Sequence, residues 1–174
     1  GRWSRRLCEP FLDFAGTAPG DSVLDVGCGT GCLAQALVRR SRFARLRGVD
    51  FSPVYVEHAA RHMRDPRVSF EVADACALNL PDASFDRVLA LLVLHFVPQA
   101  ERAIAEMRRV ARPGAVVAAA VWDARGGFVA NRIFFDTAAA LDPKAAERRA
   151  RNYTRPMTRP GELATAWRAA GLMQ

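Results

Sequence analysis

Residues Val23 to Gly31, which read VLDVGCGTG, place one acidic side chain and three glycines at alternating positions in a short stretch. Glycine accepts backbone angles and close approaches that a Cβ would prevent, so Gly27, Gly29 and Gly31 predict a loop whose backbone reaches a ligand. The apolar residues before the loop are typical of a buried parallel strand, and an apolar helical pattern begins at Cys32. A strand, a glycine turn and a helix in this order indicate a site for a nucleotide-type cofactor.

The glycine spacing separates the cofactor classes. The dinucleotide fingerprint reads G-x-G-x-x-G, and Cys32 stands where its third glycine belongs. Asp25, inside the end of the strand, would also bring negative charge close to a pyrophosphate. These two features favour a ligand that carries positive charge and disfavour a nicotinamide-dependent oxidoreductase. A turn that needs glycine for structural reasons alone is the other alternative.

A second acidic residue lies at the end of the next predicted strand. Asp50 lies 19 residues after Gly31, which suits a carboxylate that accepts hydrogen bonds from both hydroxyls of a ribose. Capping of the following helix is the alternative role, because Ser52 and Pro53 precede the helical run from Val54 to Met63. Asp50 and Ser52 can divide these two roles between them.

Strands and helices are predicted to alternate up to Asp123, which indicates a doubly wound, mostly parallel α/β sheet. The continuously apolar run from Phe85 to Leu92 is typical of a central strand, so the ligand should lie at its carboxyl end. Pro113 and Gly114 are expected to end a helix before a last apolar strand. The predicted strands are Val23–Val26, one that ends with Arg47–Asp50, Val68–Ala73, Phe85–Leu92 and Val116–Trp122. The predicted helices are Arg5–Ala15, one that begins at Cys32, Val54–Met63, Pro98–Arg112 and one that reaches Ala170.

Four further segments accompany VLDVGCGTG in a fixed order: GVDFS at Gly48–Ser52, VADA at Val72–Ala75, FDRVLALLVLHFV at Phe85–Val97 and MRRVARPGAVVAAAVWD at Met107–Asp123. With this order and spacing the chain resembles the class I S-adenosylmethionine-dependent methyltransferases, and in particular the small-molecule, methyltransferase type 11-like group. The resemblance covers nearly the whole chain. It implies a Rossmann-like fold, S-adenosylmethionine as methyl donor, S-adenosylhomocysteine as product and a small-molecule acceptor.

The resemblance also implies a set of site residues. Asp74 and the Ala75 backbone would recognise the adenine edge, and backbone groups at the end of the Phe85–Leu92 strand would hold the amino-acid part of the cofactor. The expected cofactor-binding residues are Asp25, Gly27, Cys28, Gly29, Gly31, Asp50, Phe51, Asp74, Ala75, Ala90 and Leu91. An exposed turn acid is the alternative for Asp74.

Three residues are candidates on the acceptor side. His95 is expected to form part of the wall of the site, with a role as general base as the alternative. Trp3 and Phe128 are candidates for a substrate lid. Residues 124–160 lie where related enzymes carry part of their substrate cover, although an ordinary pair of connecting helices would also explain them. No dedicated catalytic base is required and no metal is expected.

Length and composition restrict the alternatives. The 174 residues are 51% apolar and are expected to form one domain. The net charge of +7 comes from basic residues that are scattered along the chain without interleaved aromatics, so no nucleic-acid partner is expected. Four cysteines without C-x-x-C spacing indicate neither zinc nor a disulfide framework. No apolar run reaches membrane-spanning length, so no membrane partner and a cytoplasmic location are expected.

The end of the chain gives a further expectation. The resembled fold adds an antiparallel hairpin after the last helix, and Leu172 to Gln174 are too few to form it. The domain is therefore expected to be incomplete at its carboxyl end, with the last strand as an exposed sheet edge and residues 125–159 mobile or paired with a second copy in a homodimer. A regulatory module that binds the cofactor without turnover stays an alternative. An RNA or protein methyltransferase is disfavoured, because LLVLHF stands where an Asn/Asp-Pro-Pro-aromatic motif would be.

Overall fold

The computed structural model describes residues 2–40, 43–124 and 126–172, with side chains described from residue 4 onward. The strands are β1 (Ser22–Val26), β2 (Arg45–Asp50), β3 (Val68–Val72), β4 (Phe85–Leu91) and β5 (Ala111–Ala120). The helices are α1 (Arg2–Phe14), α2 (Cys32–Arg40), α3 (Pro53–His62), α4 (Ala100–Val110), α5 (Val129–Leu141), α6 (Pro143–Tyr153) and α7 (Glu162–Ala169). A short 3-10 turn, Leu94–Phe96, follows β4.

The strands form one sheet in the order β3-β2-β1-β4-β5, and all neighbouring strands are parallel. This confirms the predicted doubly wound parallel sheet. Because the strands are parallel, their carboxyl ends lie along one edge of the sheet, where open α/β sheets bind their ligands. In the described part of the chain β5 is an edge strand, as the sequence predicted.

Both faces of the sheet are covered. Leu24 and Val88 face one core layer, which α4 and α7 complete with residues such as Met107 and Trp167. Residues of β1 and β4 that point to the other face pack under α1 and α2. Successive residues of a strand point to opposite faces, so a continuously apolar strand is what two covered faces require.

β5 differs from its predicted bounds. The predicted helix ran to Arg112 and the predicted strand began at Val116, whereas α4 ends at Val110 and β5 starts at Ala111. Pro113 is included in β5 at a break in the pairing register with β4. Proline lacks a backbone N–H and is tolerated in edge strands and at bulges, so the Pro-Gly pair shifts the register instead of ending the element.

Residues 124–160 contain α5 and α6, which pack against each other. Neither helix has a buried residue in the structure. The Asp142 carboxylate caps α6 by accepting a hydrogen bond from the Lys144 backbone N–H at 2.9 Å. In contrast, α7 packs against the core through Trp167. No helix in the described ranges is long and apolar enough to cross a bilayer.

Candidate cofactor and acceptor site

A cleft of about 740 Å³ opens at the carboxyl ends of the strands, beside the glycine loop. We call it the loop cleft. Its lining residues are Gly27, Val49, Asp50, Phe51, Ser52, Tyr55, Ala73, Asp74, Ala75, Cys76, Val93, Phe96, Val97, Pro98, Gln99 and Arg102. Five of the predicted cofactor-binding residues are in this set. The cleft also carries exposed rings at Phe51, Tyr55 and Phe96, which provide apolar surface for a flat ligand.

Packing within the protein explains why position 27 is glycine. The N–H groups of Gly27 and Cys28 donate to the Val49 carbonyl at 2.8 and 2.9 Å, which fixes the loop against the end of β2. Gly27 has φ +73°, and a Cβ there would lie 2.2 Å from Cγ2 of Val93. The loop therefore approaches the residues after β4 more closely than any side chain would permit.

Position 29 is different. Gly29 has φ +53°, and a Cβ there would meet no described atom within 4 Å. The space beside it suits a ligand that approaches the loop. Gly31 is buried, where a Cβ would lie 3.3 Å from Ala59 and Phe70. Of the three glycines, Gly29 is thus the one with space for a bound molecule.

Asp50 connects the glycine loop to the start of α3. Its Oδ2 accepts from the Gly29 N–H at 2.9 Å, and its Oδ1 accepts from the Ser52 N–H at 2.9 Å. Ser52 is the N-cap of α3, because its Oγ accepts from the Tyr55 N–H. An ionised carboxylate has about four acceptor positions, so Asp50 keeps capacity for ribose hydroxyls while it holds the loop. The sequence allowed Asp50 and Ser52 to divide the ribose and capping roles between them, and in the structure Ser52 caps α3.

Asp25 is buried under the loop, with 1% of its surface exposed. Its Oδ2 has no hydrogen-bond partner among the described residues. Burial raises the pKa of this carboxyl well above its ordinary value, and the nearby Cys32 and Asp50 raise it further. A buried acidic oxygen without a partner fits a cofactor that brings positive charge to this side of the loop.

The other predicted cofactor residues occupy different positions. The Asp74 Oδ1 accepts from the Cys76 N–H at 2.8 Å, so this acid shapes the turn after β3 while it lines the loop cleft beside Ala75. Cys28, within the loop, is buried. Ala90 and Leu91 are buried within β4, pair with β5 and do not line the cleft. Their predicted role in holding the amino-acid part of the cofactor stays a prediction.

The chain after β4 supplies cleft residues that the sequence did not single out. Leu92 has φ +60°, a conformation that is uncommon for a residue with a side chain. This sharp turn is followed by Val93, which lines the loop cleft directly against Gly27. Gln99 and Arg102, at the start of α4, add polar groups to the same wall. The apolar pattern of this segment gave no signal of the unusual backbone conformation at Leu92.

A second cavity, of about 240 Å³, adjoins the loop cleft. We call it the aromatic cavity. Its lining residues are His95, Phe96, Trp122, Ala124, Phe128, Asn131, Asn152, Arg155 and Thr158. Phe96 lines both spaces, so its side chain lies where the aromatic cavity and the loop cleft come together. Phe128, one of the two lid candidates, stacks on Trp122 with ring centroids 4.8 Å apart. The side chain of Trp3, the other candidate, is outside the described part of the chain.

His95 is in the wall of the aromatic cavity, as expected, and is 2% exposed. Neither of its ring nitrogens has a hydrogen-bond partner among the described residues. Burial lowers the pKa of His95 to about 4, and the positive charge of Arg155 contributes. The imidazole is therefore neutral at pH 7, with one N–H donor and one acceptor nitrogen available.

The family of the chain follows from its sequence match. Residues 24–119, which run from β1 to β5, match the methyltransferase domain model. The chain belongs to this methyltransferase family. S-adenosylmethionine is the methyl donor of the family. It is a cationic nucleoside, and the partnerless Asp25 oxygen, the open space at Gly29 and the exposed rings of the cleft fit such a molecule.

Named relatives support the assignment to the methyltransferase family. The chain is 37% identical over 125 residues to "Methyltransferase GfsG" of Streptomyces halstedii, covering 70% of the chain and 45% of the relative. It is 40% identical over 113 residues to "27-O-demethylrifamycin SV methyltransferase" of Amycolatopsis mediterranei, covering 63% and 41%. The chain thus spans less than half the length of these relatives.

A solved structure supports the fold. The Haemonchus contortus phosphoethanolamine N-methyltransferase 2, solved in complex with S-adenosyl-L-methionine, superposes with a TM-score of 0.76 at 19% identity. The match covers 95% of this chain and 36% of the other. In the present chain, the described residues contain no cluster of three or more His, Cys, Asp or Glu side chains that would hold a metal ion.

Proposed function

We propose that this protein transfers the methyl group of S-adenosylmethionine to a small-molecule acceptor. The observation that carries the proposal is the pair of adjoining spaces that share Phe96, one beside the glycine loop and one among aromatic side chains. The relative named "27-O-demethylrifamycin SV methyltransferase" supports a small-molecule acceptor. When bound, the cofactor supplies a methyl group activated by a sulfonium.

The protein residues have binding and positioning roles in this proposal. Asp50 accepts hydrogen bonds from the ribose, Asp74 and the Ala75 backbone recognise the adenine, and Asp25 favours the cationic end of the cofactor. Alignment of two reactants in one site lowers a barrier by up to roughly 7–11 kcal/mol, so no dedicated base is obligatory. Residues 124–160 cover the acceptor, and the stacking of Phe128, just before α5, on Trp122, just after β5, holds this segment to the sheet edge.

Calorimetry tests the cofactor part of the proposal. S-adenosylmethionine and S-adenosylhomocysteine are each titrated into the protein, with NAD⁺ as the matched control for an oxidoreductase. Binding of both sulfur nucleosides without binding of NAD⁺ is expected. Binding of NAD⁺ alone would overturn the proposal. A module that binds the cofactor without turnover gives the expected calorimetric result but no methylated product.

Three further sequence predictions belong to this proposal. They are a cytoplasmic location, a homodimer and the absence of a nucleic-acid partner. The exposed edge of β5 and the exposed side chains Ile133, Phe134 and Leu141 of α5 support a homodimer. Sedimentation velocity over a range of protein concentrations tests it, and a single monomeric species at all concentrations would exclude it.

A further inference from the structure

The aromatic cavity combines aromatic walls with polar side chains, none of which is acidic. Three rings, those of Phe96, Trp122 and Phe128, provide flat apolar walls. The remaining polar side chains are imidazole, amide, hydroxyl and guanidinium groups, and no carboxylate is among the lining residues. A flat apolar ligand with an acidic group matches both properties, because the rings accept its faces and the cavity carries positive charge.

Arg155 supplies that positive charge. Its guanidinium carbon lies 4.7 Å from the centroid of the Phe96 ring, which holds the group over the boundary between the two spaces. Within the described part of the chain Arg155 forms no ion pair. Its guanidinium therefore keeps its planar set of N–H donors for an external carboxylate or phenolate oxygen.

His95 supplies a neutral donor and acceptor. A buried polar group without a hydrogen-bond partner is destabilising, so it is rare unless a ligand completes it. Both ring nitrogens of His95 are in this state. A hydroxyl group satisfies such a ring nitrogen by donating its hydrogen to it. The imidazole and the guanidinium together thus match a ligand with one hydroxyl and one acidic oxygen.

The size of the aromatic cavity matches a single substituted ring. An apolar cavity of about 150 Å³ holds one benzene molecule. The aromatic cavity, with about 240 Å³, has room for a ring with small polar substituents. It is also adjacent to the loop cleft at Phe96, which places such a ring beside the cofactor site.

We propose that the aromatic cavity is the acceptor subsite and takes a planar aromatic molecule with an acidic oxygen, which Arg155 pairs with while His95 accepts a hydrogen bond from an acceptor hydroxyl. This inference rests on the proposed function, because it names the acceptor class of the same site. Arg155 and His95 contact the acceptor directly in this arrangement, and Trp122 and Phe128 hold its ring.

Three probes test the inference by calorimetry on the full chain saturated with S-adenosylhomocysteine. The first is 4-hydroxybenzoate, the second is 4-hydroxybenzamide, which lacks the charge, and the third is 4-hydroxycyclohexanecarboxylate, which lacks the aromatic ring. We expect 4-hydroxybenzoate to bind at least tenfold more tightly than either control. Equal affinity for 4-hydroxybenzoate and 4-hydroxybenzamide would overturn the acidic part of the inference, and equal affinity for the cyclohexane analogue would overturn the aromatic part.

Variants locate the binding. Arg155→Gln is expected to lose at least tenfold in affinity for 4-hydroxybenzoate and to leave the weaker binding of 4-hydroxybenzamide unchanged, while Arg155→Lys retains part of the preference. Arg151→Gln, at an exposed position that does not line the cavity, is the matched control and is expected to bind like the wild type. Unchanged affinity in a folded Arg155→Gln protein would overturn the assignment of Arg155.

A fluorescence titration separates the possible failures. The ring is expected to quench Trp122, and this quenching should vanish in Trp122→Phe. If S-adenosylhomocysteine binds but 4-hydroxybenzoate does not quench Trp122, the acceptor inference is wrong while the proposed cofactor site stands. If S-adenosylhomocysteine itself does not bind, the proposed function is wrong.

Discussion

The carboxylate of Asp50 accepts a hydrogen bond from the backbone N–H of Gly29 at 2.9 Å. The end of β2 is thereby fixed to the middle of the glycine loop, although the two residues are 21 positions apart. The same carboxylate lines the loop cleft. Loss of this side chain thus removes a proposed ribose contact and, at the same time, the anchor of the loop that forms the other side of the site.

Asp50→Ala is expected to weaken binding of S-adenosylhomocysteine at least tenfold. The physical reason is the loss of a charged acceptor for the ribose together with the Gly29 anchor. Calorimetry measures the change, and Glu57→Ala, at an exposed position on α3, is the matched control. Unchanged affinity in a folded Asp50→Ala protein would remove Asp50 from the site.

Substitutions at two glycines should have different effects. Gly27→Ala is expected to destabilise the fold by at least about 2 kcal/mol, because the positive φ and the contact with Val93 both penalise a Cβ. Gly29→Val has open space within the protein, so it should retain the fold at a cost of about 1–2 kcal/mol and lose cofactor binding. Thermal unfolding and calorimetry measure the two effects. Tight cofactor binding by Gly29→Val would contradict the loop assignment.

The buried, neutral His95 is expected to make the folded protein less stable in mild acid. Its pKa falls from 6.5 to about 4 in the folded protein, so the unfolded chain binds the proton more tightly. The free energy of unfolding should therefore decrease as the pH falls from about 6.5 to about 4, by up to about 3 kcal/mol.

A variant isolates this contribution of His95 from the others. Asp25, whose pKa is raised, acts in the opposite direction, since the folded state then binds its proton more tightly. The test is therefore the difference between wild type and His95→Phe in urea unfolding at pH 7, 5.5 and 4. The variant should lose less stability on acidification. Parallel pH profiles of the two proteins would show that His95 is not buried in its neutral form.

Cys32 is expected to be the most reactive of the four thiols. Interaction with the neighbouring Cys8 thiol lowers the pKa of Cys32 to about 6, and backbone N–H groups at the start of α2 act in the same direction. Burial raises the pKa of Cys28 and of Cys76. Brief treatment with iodoacetamide at pH 7, followed by peptide mass spectrometry, should label Cys32 first. Preferential labelling of Cys76 would be inconsistent with this order.

The sequence predicted the parts of the fold that depend on local patterns. The strand-glycine-helix unit from β1 to α2 and the alternation of strands and helices are each encoded within short segments, and the structure assigns to Ser52 the cap that the sequence left open between Asp50 and Ser52. β5 was predicted less well, because Pro113 and Gly114 were expected to end a helix, whereas they lie at a break in the pairing register between β4 and β5. Such a break depends on how the two strands pair, and the local sequence does not encode it.

Part of the candidate site was predictable, because local strand patterns place some of its residues at one edge of the sheet. Asp50 ends β2 and Asp74 follows β3, and both reach the loop cleft because parallel strands end at one edge of the sheet. Arg155 gave no local signal, since it is one of many arginines and its contact with Phe96 joins residues 59 positions apart. The steric fit between Gly27 and Val93 likewise appears only when the loop meets the chain after β4.

The central claim is methyl transfer to a small molecule, and a labelling experiment tests it most directly. The protein is incubated with S-adenosylmethionine that carries a labelled methyl group, together with a cell extract separated into small-molecule, RNA and protein fractions. Label is expected in small-molecule products other than S-adenosylmethionine itself with the wild type, and at least tenfold less of it with Asp50→Ala. Label in the RNA or protein fraction alone, or no transferred label from a protein that binds the cofactor, would contradict the account.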